Sequence, residues 1–513
     1  MGAGAVSARL DQLTSWDADW KGLRVVVAGL GLTGFSAADT LIELGAAVVV
    51  VDSGAGAESA SRADTLRIVG AHEVLLGDQH TRALPSVDGQ LADLVVASPG
   101  WAPHHPLLAA AADAGIPIWG DVELAWRVNE RAGRKSAEWL VITGTNGKTT
   151  TVGMTEAMLQ AAGLRAVAAG NVGTPILDAV RDPEGYDVIA VELSSFQLHY
   201  THTMSPLAAV VLNIAQDHVD WHGSFEQYQA DKARIYERTR IAAVYNVDAP
   251  VTERMVEEAD VIEGCRAIGF TTGTPARSML GVVDDLLVDR AYLEQRQDTA
   301  AELASLEDFG GVAPRHMVAN ALAAAALVRA YGVEPGAVRE GLRGFDRGEH
   351  RIQAVARRDD ILWINDSKAT NPHAAAASLG AFTSVVWIAG GLSKGVDYSE
   401  LVTRFAPRLR AVVLIGTDTS ALRGALERHA PMVQVIEAPV GETGTQTADA
   451  SDRQQRGTTV MAAAVEAAAG LAQAGDTVLM APAAASMDQF TSYAHRGNAF
   501  IEAVSRLMED EEN

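Results

Sequence analysis

Thr143-Gly144-Thr145-Asn146-Gly147-Lys148-Thr149-Thr150 follows the apolar run Leu140-Val141-Ile142 and precedes a helical pattern. Glycines at Gly144 and Gly147 can expose successive backbone N–H groups to phosphate. Lys148 would add a point charge, and the Thr149 hydroxyl is a Mg²⁺ ligand type. The strict eight-residue phosphate-loop spacing is not met, because Ile142 stands at its first glycine. A G-x-x-G-K-T-T turn between strand and helix still predicts binding of ATP through Gly144 to Thr150. Glu192, ending the run Tyr186-Asp187-Val188-Ile189-Ala190-Val191, stands where a second Mg²⁺ ligand would be needed. Asp217, His218 and Asp220 cluster after a further strand run, and His218 is a candidate metal contact.

A second nucleotide-like signal lies upstream. Gly29-Leu30-Gly31-Leu32-Thr33-Gly34 opens a helix after a strand run, and Asp52 ends the next run. Glycines there permit close backbone approach to a diphosphate, with Asp52 near a ribose or base. Ser98, in Ser98-Pro99-Gly100, could reach the same crevice. The pattern alone does not choose between NAD and a UDP-sugar, and an NAD-linked oxidoreductase would leave the phosphate loop unemployed.

These residues need a scaffold of strand ends. Runs such as LRVVVAGLG, AAVVVVD, ADLVVASPG, EWLVITGTNG, YDVIAVELSS, LAAVVLNIAQDH, ILWINDSK, SVVWIAGG, RAVVLIG and DTVLMAPAAAS are continuously apolar. Such runs predict strands buried on both faces, hence parallel sheets between helices, with ligands at the carboxyl ends. The chain has 513 residues, enough for about three domains. Charged residues 127–138 and glycine-rich 341–348 suggest boundaries giving domains 1–130, 131–346 and 347–513. Residues 271–300 read as antiparallel or peripheral, and 441–457 as an exposed loop insertion.

Lys plus Arg total 41 against 65 Asp plus Glu, a net charge of −24. This excess of anions argues against nonspecific binding of nucleic acid or anionic membrane. A single cysteine, Cys265, excludes intramolecular disulfides and a Cys-based zinc site. No apolar run approaches the ~18 residues of a membrane span. The amino terminus lacks a cationic segment followed by an apolar core, so a cytoplasmic enzyme without membrane insertion is expected. A monomer is the expected state.

The motifs together resemble the Mur ligase family, over nearly the whole chain. The resemblance is carried by GLGLTG (29–34), ASPG (97–100), GTNGKTT (144–150), GNVG (170–173), ELSSFQL (192–198) and DHVD (217–220). It continues through ADKARIY (230–236), NALAA (320–324), HR (350–351), NDSKATNP (365–372), GGLSKG (390–395) and SMDQF (486–490). NDSKATN is the most discriminating. The resemblance implies three α/β domains: a Rossmann-like uridine-binding domain, a central P-loop-type ATPase with a mostly parallel sheet, and a Rossmann-like carboxyl-terminal domain. It implies ATP-dependent addition of D-glutamate to UDP-N-acetylmuramoyl-L-alanine through an acyl phosphate, with two Mg²⁺ ions.

By the same resemblance Lys148 would hold phosphates. Thr149 and Glu192 would serve one Mg²⁺, and His218 the other, together with Lys232 carried as a carbamate. Asn171 would contact the substrate near its reacting end, and Gly31, Leu32, Thr33, Gly34, Asp52 and Ser98 its uridine part. Asn320, Arg351 and Asp366 would contact ATP. Thr370, Lys394, Ser486, Met487 and Tyr493 would hold D-glutamate, with Lys368 orienting phosphate. Two positions depart from the family pattern. Tyr493 replaces a common Phe, and Met317 replaces an Asn associated with adenine, so looser base selection is expected. A catalytically silent UDP-sugar sensor is the competing reading, and the retained Lys148, Glu192, His218 and Lys232 argue against it.

Overall fold

The computed structural model describes residues 8–510 except 296, 310–312, 347–349, 394 and 439–449. Each of the ten apolar runs becomes a strand, and these join other strands in three sheets. The first contains β1 (Arg24–Ala28), β2 (Ala47–Asp52), β3 (Glu73–Leu76), β4 (Leu94–Ala97) and β5 (Ile118–Gly120). Its order is β3-β2-β1-β4-β5, all parallel. The strand order reverses between β1 and β4, which puts the crevice beside the glycine turn and Ser98. Helices α1 (Leu32–Glu43) and α2 (Asp121–Val128) belong to this part of the chain.

The second sheet contains β6 (Glu138–Thr143), β7 (Ala166–Gly170), β8 (Val188–Glu192), β9 (Ala208–Val211), β10 (Ala242–Asn246) and β11 (Arg266–Phe270). It continues with β12 (Met279–Val283), β13 (Leu286–Asp289) and β14 (Ala301–Ser305). Its order is β14-β13-β12-β11-β10-β9-β6-β8-β7. The β12-β13-β14 meander is antiparallel and lies at one edge, as the irregular composition of 271–300 suggested. Strand β6 sits between β8 and β9, so residues at their carboxyl ends converge on the loop after β6. Helices α3 (Lys148–Ala161), α4 (Ser195–His199), α5 (Val219–His222), α6 (Phe225–Ala233) and α7 (Arg315–Tyr331) frame this region.

The third sheet, β15 (Gln353–Arg358), β16 (Ile361–Asn365), β17 (Val385–Gly390), β18 (Leu409–Ile415), β19 (Gln434–Glu437) and β20 (Thr477–Met480), has the order β15-β16-β20-β17-β18-β19. Only the β15 pairing is antiparallel. It is covered by α8 (Pro372–Leu379), α9 (Ala450–Leu471) and α10 (Tyr493–Asp510) among others, with a separate apolar cluster against each face.

The chain divides into two compact units, residues 1–313 with 317–345, and residues 314–316 with 346–513. The first therefore holds two sheets. Within it, Arg127 belongs to the interior although its charge suggested a linker. Its Nε donates to Glu123 at 2.7 Å, and its Nη1 donates to the carbonyls of both Leu10 and Leu13. Glu123 in turn accepts from the backbone N–H groups of His202 and Thr203, so this buried pair ties α2 to the segment after α4. The polar insertion also differs from expectation. Residues 450–457 begin α9, as Ala, Gln and Arg there favour helix, and Gly457 lies close under the Phe490 ring. Residues 441–449 lie outside the described residues.

Candidate active site

The phosphate loop leaves β6 through Gly144 and turns into α3 at Gly147, both at positive φ (154° and 87°). Gly147 is the N-cap of α3, so the loop ends at the positive end of a helix dipole, where an anion is favoured. A Cβ on Gly147 would lie 2.6 Å from the Asn320 Oδ1, so only glycine lets α7 approach here. Asn213 fixes the loop by a reciprocal pair, accepting from the Asn146 N–H at 2.9 Å and donating to its carbonyl at 3.0 Å. Thr145 Oγ1 lies 2.8 Å from the Tyr228 hydroxyl on α6. Lys148 Nζ donates to the Gly144 and Thr145 carbonyls at 3.0 and 3.1 Å. Thr149 is half-buried and Thr150 buried on the first turn of α3.

Glu192 ends β8 and Asn171 follows β7, while Lys232 reaches from α6 to the residues at the end of β6. Glu192, 1% exposed, accepts from Asn171 Nδ2 at 3.0 Å through Oε1, while its buried Oε2 has no hydrogen-bond partner among the described residues. Lys232 is 2% exposed and donates to Thr143 Oγ1 at 3.1 Å and the Gly144 carbonyl at 3.0 Å. Burial, reinforced by the Lys148 charge, holds the Lys232 amine well below its usual range despite Asp217 and Glu192. A neutral buried amine is the form able to add to CO₂.

His218 is half-exposed at positive φ (50°), 3.5 Å from Asp217 Oδ2 and packed edge-on against Phe196. Its imidazole titrates below the ordinary range, chiefly through burial, with the Lys232 and Lys148 charges opposing Asp217 and Asp220.

Among the described residues no three His, Cys, Asp or Glu side chains form a metal cage. Mg²⁺ suits such a place, because it commonly takes one or two protein oxygens and completes its shell with phosphate and water. The unpartnered Glu192 oxygen and the Thr149 hydroxyl fit that donor set.

Sequence reasoning missed a polar cluster beside these groups. Asp231 accepts from His199 Nδ1 at 3.0 Å and His222 Nδ1 at 2.7 Å, and His222 Nε2 lies 2.9 Å from Ser195 Oγ. Burial opposes ionisation of Asp231, but the two imidazole hydrogen bonds outweigh it and pull the carboxyl down to about 2. No periodicity marks these residues, which sit on three short helices.

At the first sheet, the Asp52 carboxylate accepts from Leu30 N and Gly54 N, both at 2.6 Å, bracing the glycine turn. Gly34 lies so close that a Cβ would meet the Gly29 carbonyl at 2.0 Å and Ser98 Oγ at 2.7 Å. Ser98 Oγ is buried without a hydrogen-bond partner among the described residues. Gly31 and Leu32 are exposed at the start of α1, and Thr33 is half-buried beside them.

In the second unit, loops after β16, β17 and β20 converge. The buried Arg496 guanidinium joins two of them, donating to Ser367 Oγ at 3.0 Å, the Ser367 carbonyl at 2.9 Å and the Ala484 carbonyl at 3.1 Å. Leu392 and Ala485 pair their backbones between the loops after β17 and β20. Thr370 is half-buried, Ser486 buried, and Met487 and Tyr493 exposed on these loops or the start of α10. Lys368 Nζ stands 3.8 Å over the Tyr493 ring. Asp366 accepts from Ser378 Oγ and from Ile352 N, and burial pushes its carboxyl up to about 6. Arg351 is half-buried in the same unit. Lys394 lies outside the described residues.

This arrangement has counterparts. Residues 142–328 match the family model for the Mur ligase middle domain, 350–484 the Mur ligase glutamate ligase domain, and 23–120 the Mur ligase MurD-like N-terminal domain. The chain belongs to the Mur ligase family. It is therefore an ATP-dependent ligase that forms amide bonds.

Among relatives, the UDP-N-acetylmuramoylalanine–D-glutamate ligase of Streptomyces avermitilis is 55% identical over 95% of this chain and 99% of its own length. That of Leifsonia xyli is 51% identical over 98% and 96%. Solved Mur ligase folds agree in architecture: a pseudomurein peptide ligase type C from Methanothermus fervidus superposes with a TM-score of 0.54 at 17% identity, covering 94% of this chain and 100% of that one. The UDP-N-acetylmuramate-alanine ligase of Thermotoga maritima gives 0.51 at 16% identity, covering 94% and 99%. Among the described residues, no helix of this Mur ligase is long and apolar enough to cross a membrane.

Proposed function

We propose that this ligase joins D-glutamate to UDP-N-acetylmuramoyl-L-alanine in cytoplasmic peptidoglycan precursor synthesis, acting as a monomer. The observation that carries this reading is the shared name of relatives 51% and 55% identical over nearly the whole chain. Functional boundaries near residues 130 and 346 assign uridine binding, ATP use and amino-acid binding to successive segments.

In the proposed reaction an oxygen of the L-alanyl carboxylate attacks the γ-phosphorus, the bond to the β-phosphate oxygen breaks, and ADP leaves. The amine of D-glutamate then attacks the acyl carbon and loses a proton as inorganic phosphate departs. Gly144 to Thr150, Asn320, Arg351 and Asp366 are the residues assigned to ATP in this reading, with Lys148 on the phosphates. Asn171 orients the reacting carboxylate. Gly31, Leu32, Thr33, Gly34, Asp52 and Ser98 take the uridine part, while Thr370, Lys394, Ser486, Met487 and Tyr493 take D-glutamate. Thr149 and Glu192 would hold one Mg²⁺, and His218 with a carbamate on Lys232 the other. When bound, these ions offset the negative charge that gathers between carboxylate and γ-phosphate. The Lys232 amine, buried and biased to neutrality, supports the carbamate, which would exchange a repelling cation for an anion.

The test is product formation from UDP-N-acetylmuramoyl-L-alanine, ATP and Mg²⁺ with D-Glu, L-Glu, L-Ala or meso-diaminopimelate in parallel. Amide formation with D-Glu alone is expected. Preference for another amino acid would overturn the assignment, and failure of any amino acid to trigger phosphate release would favour a silent sensor.

A further inference from the structure

Ser195, His222 and Asp231 form a sealed hydrogen-bonded chain. Their backbones come from α4, α5 and α6, three elements separated in sequence. The His222 side chain is 0% exposed and Asp231 2%. Asp231 also accepts from His199 Nδ1 at 3.0 Å and Gln227 Nε2 at 3.1 Å, so its carboxylate is surrounded by donors. With Nδ1–H of His222 directed at the carboxylate, Nε2 is left to accept the Ser195 hydroxyl proton. The ring is further fixed by Phe196, stacked at 5.5 Å, and Tyr228, edge-on at 5.4 Å.

The same three residue types perform nucleophilic catalysis elsewhere. Here Ser195 is 2% exposed, so a substrate carbonyl has no route to it. Position in the chain suggests a different use. Ser195 follows Glu192 by three residues, His222 follows His218 by four, and Asp231 immediately precedes Lys232.

We propose that the Ser195–His222–Asp231 chain is a positioning device that holds the His218 and Lys232 segments in register against α4 for the second cation. This rests on the metal reading above. Partners behind a metal's direct ligands fix ligand orientation, and their loss commonly weakens metal affinity ~10–100-fold. Asp231 and His222 would act through Lys232 and His218 without touching the ion.

The test counts Mn²⁺ bound to the full-length protein with a non-hydrolysable ATP analogue, by electron paramagnetic resonance. The carbon-13 carbamate signal after equilibration with labelled bicarbonate is recorded alongside. Asp231→Asn and His222→Gln are expected to weaken the second Mn²⁺ at least ~10-fold and diminish the carbamate signal, with the first Mn²⁺ and the nucleotide bound as in the parent. Lys232→Ala is the control for the site itself. If it leaves two Mn²⁺ bound as tightly as in the parent, the metal reading fails. If it loses the second Mn²⁺ while Asp231→Asn and His222→Gln keep it at parental affinity, the positioning inference is overturned. Should either variant fail to fold, Ser195→Ala removes only the terminal hydroxyl. Selective weakening of the second Mn²⁺ supports the chain, and unchanged affinity refutes it.

Discussion

At the scale of single residues, the phosphate loop's chemistry is concentrated in Lys148. Its Nζ already arches over the loop to two carbonyls, so shortening the side chain removes charge without disturbing a buried core. Phosphoryl transfer depends mainly on positioning and charge neutralisation, and loss of one such stabilising group costs ~10²–10³ in rate. Lys148→Ala should therefore keep its far-ultraviolet circular dichroism and melting temperature while ADP formation falls by at least that factor; near-parental turnover would remove the loop from the mechanism. Met317, expected by resemblance beside the adenine, is 6% exposed and packs in the apolar cluster beneath the second sheet. Met317→Asn would bury an amide there, at a cost of ~1–3 kcal/mol if it finds no partner. A lower melting temperature with an unchanged ATP-over-GTP preference is expected. A wider preference in the variant would restore Met317 to adenine recognition.

At the scale of elements, what the sequence revealed depended on burial. All ten apolar runs became parallel strands because strands covered on both faces have no polar alternation to blur them. Strands β3 and β19 escaped notice: each has four residues, includes polar positions and lies at an edge of its sheet. Strand β7, AVAAG, is built from small residues whose pattern resembles a helix as much as a strand. The phosphate loop and Glu192 were legible because glycine, lysine and strand-end acids have local signatures. Lys232 was legible only by resemblance, and the Ser195, His222 and Asp231 chain was not, because its spacing exists only once three short helices pack. Asp121, first residue of α2, is another buried acid with no local signature. It accepts from Gln197 Nε2 at 3.0 Å, but its Oδ1 has no partner among the described residues. Burial pushes its carboxyl from 3.8 up to about 6, against the Gln197 bond and backbone amides. The folded state thus holds this proton more tightly than the unfolded chain. That contribution is complete below about pH 4 and is lost as pH rises through about 6. At ~1.4 kcal/mol per factor of ten, the loss approaches ~3 kcal/mol at pH 8. Asp121→Asn, nearly isosteric and always neutral, should raise denaturant stability at pH 8 and lose that advantage near pH 4. A pH-independent difference would show that Asp121 is not a strained carboxylate.

At the scale of the whole molecule, the residues proposed for different steps are divided between two separately packed units. The first contains the phosphate loop, Glu192, His218 and Lys232, together with the glycine turn at 29–34. The second contains Arg351, Asp366, Thr370, Ser486, Met487 and Tyr493, on a sheet with apolar clusters of its own. A unit that buries its own core retains its fold when its neighbour is removed, provided the cut falls between the clusters. A fragment ending at residue 346 keeps both sheets of the first unit and cuts no strand. It should melt cooperatively and bind an ATP analogue, because phosphate, magnesium and the lysines supply most of that affinity. The loss of Arg351 and Asp366 is expected to weaken nucleotide binding by ~5- to 150-fold, the scale of two polar contacts at ~0.5–1.5 kcal/mol each. Amide formation should disappear altogether, since the fragment lacks every residue proposed to hold the amino acid. Calorimetric titration with the analogue and a product assay separate these outcomes. Residual D-glutamate ligation by the fragment would move the amino-acid site into the first unit and refute the division of labour proposed for the two.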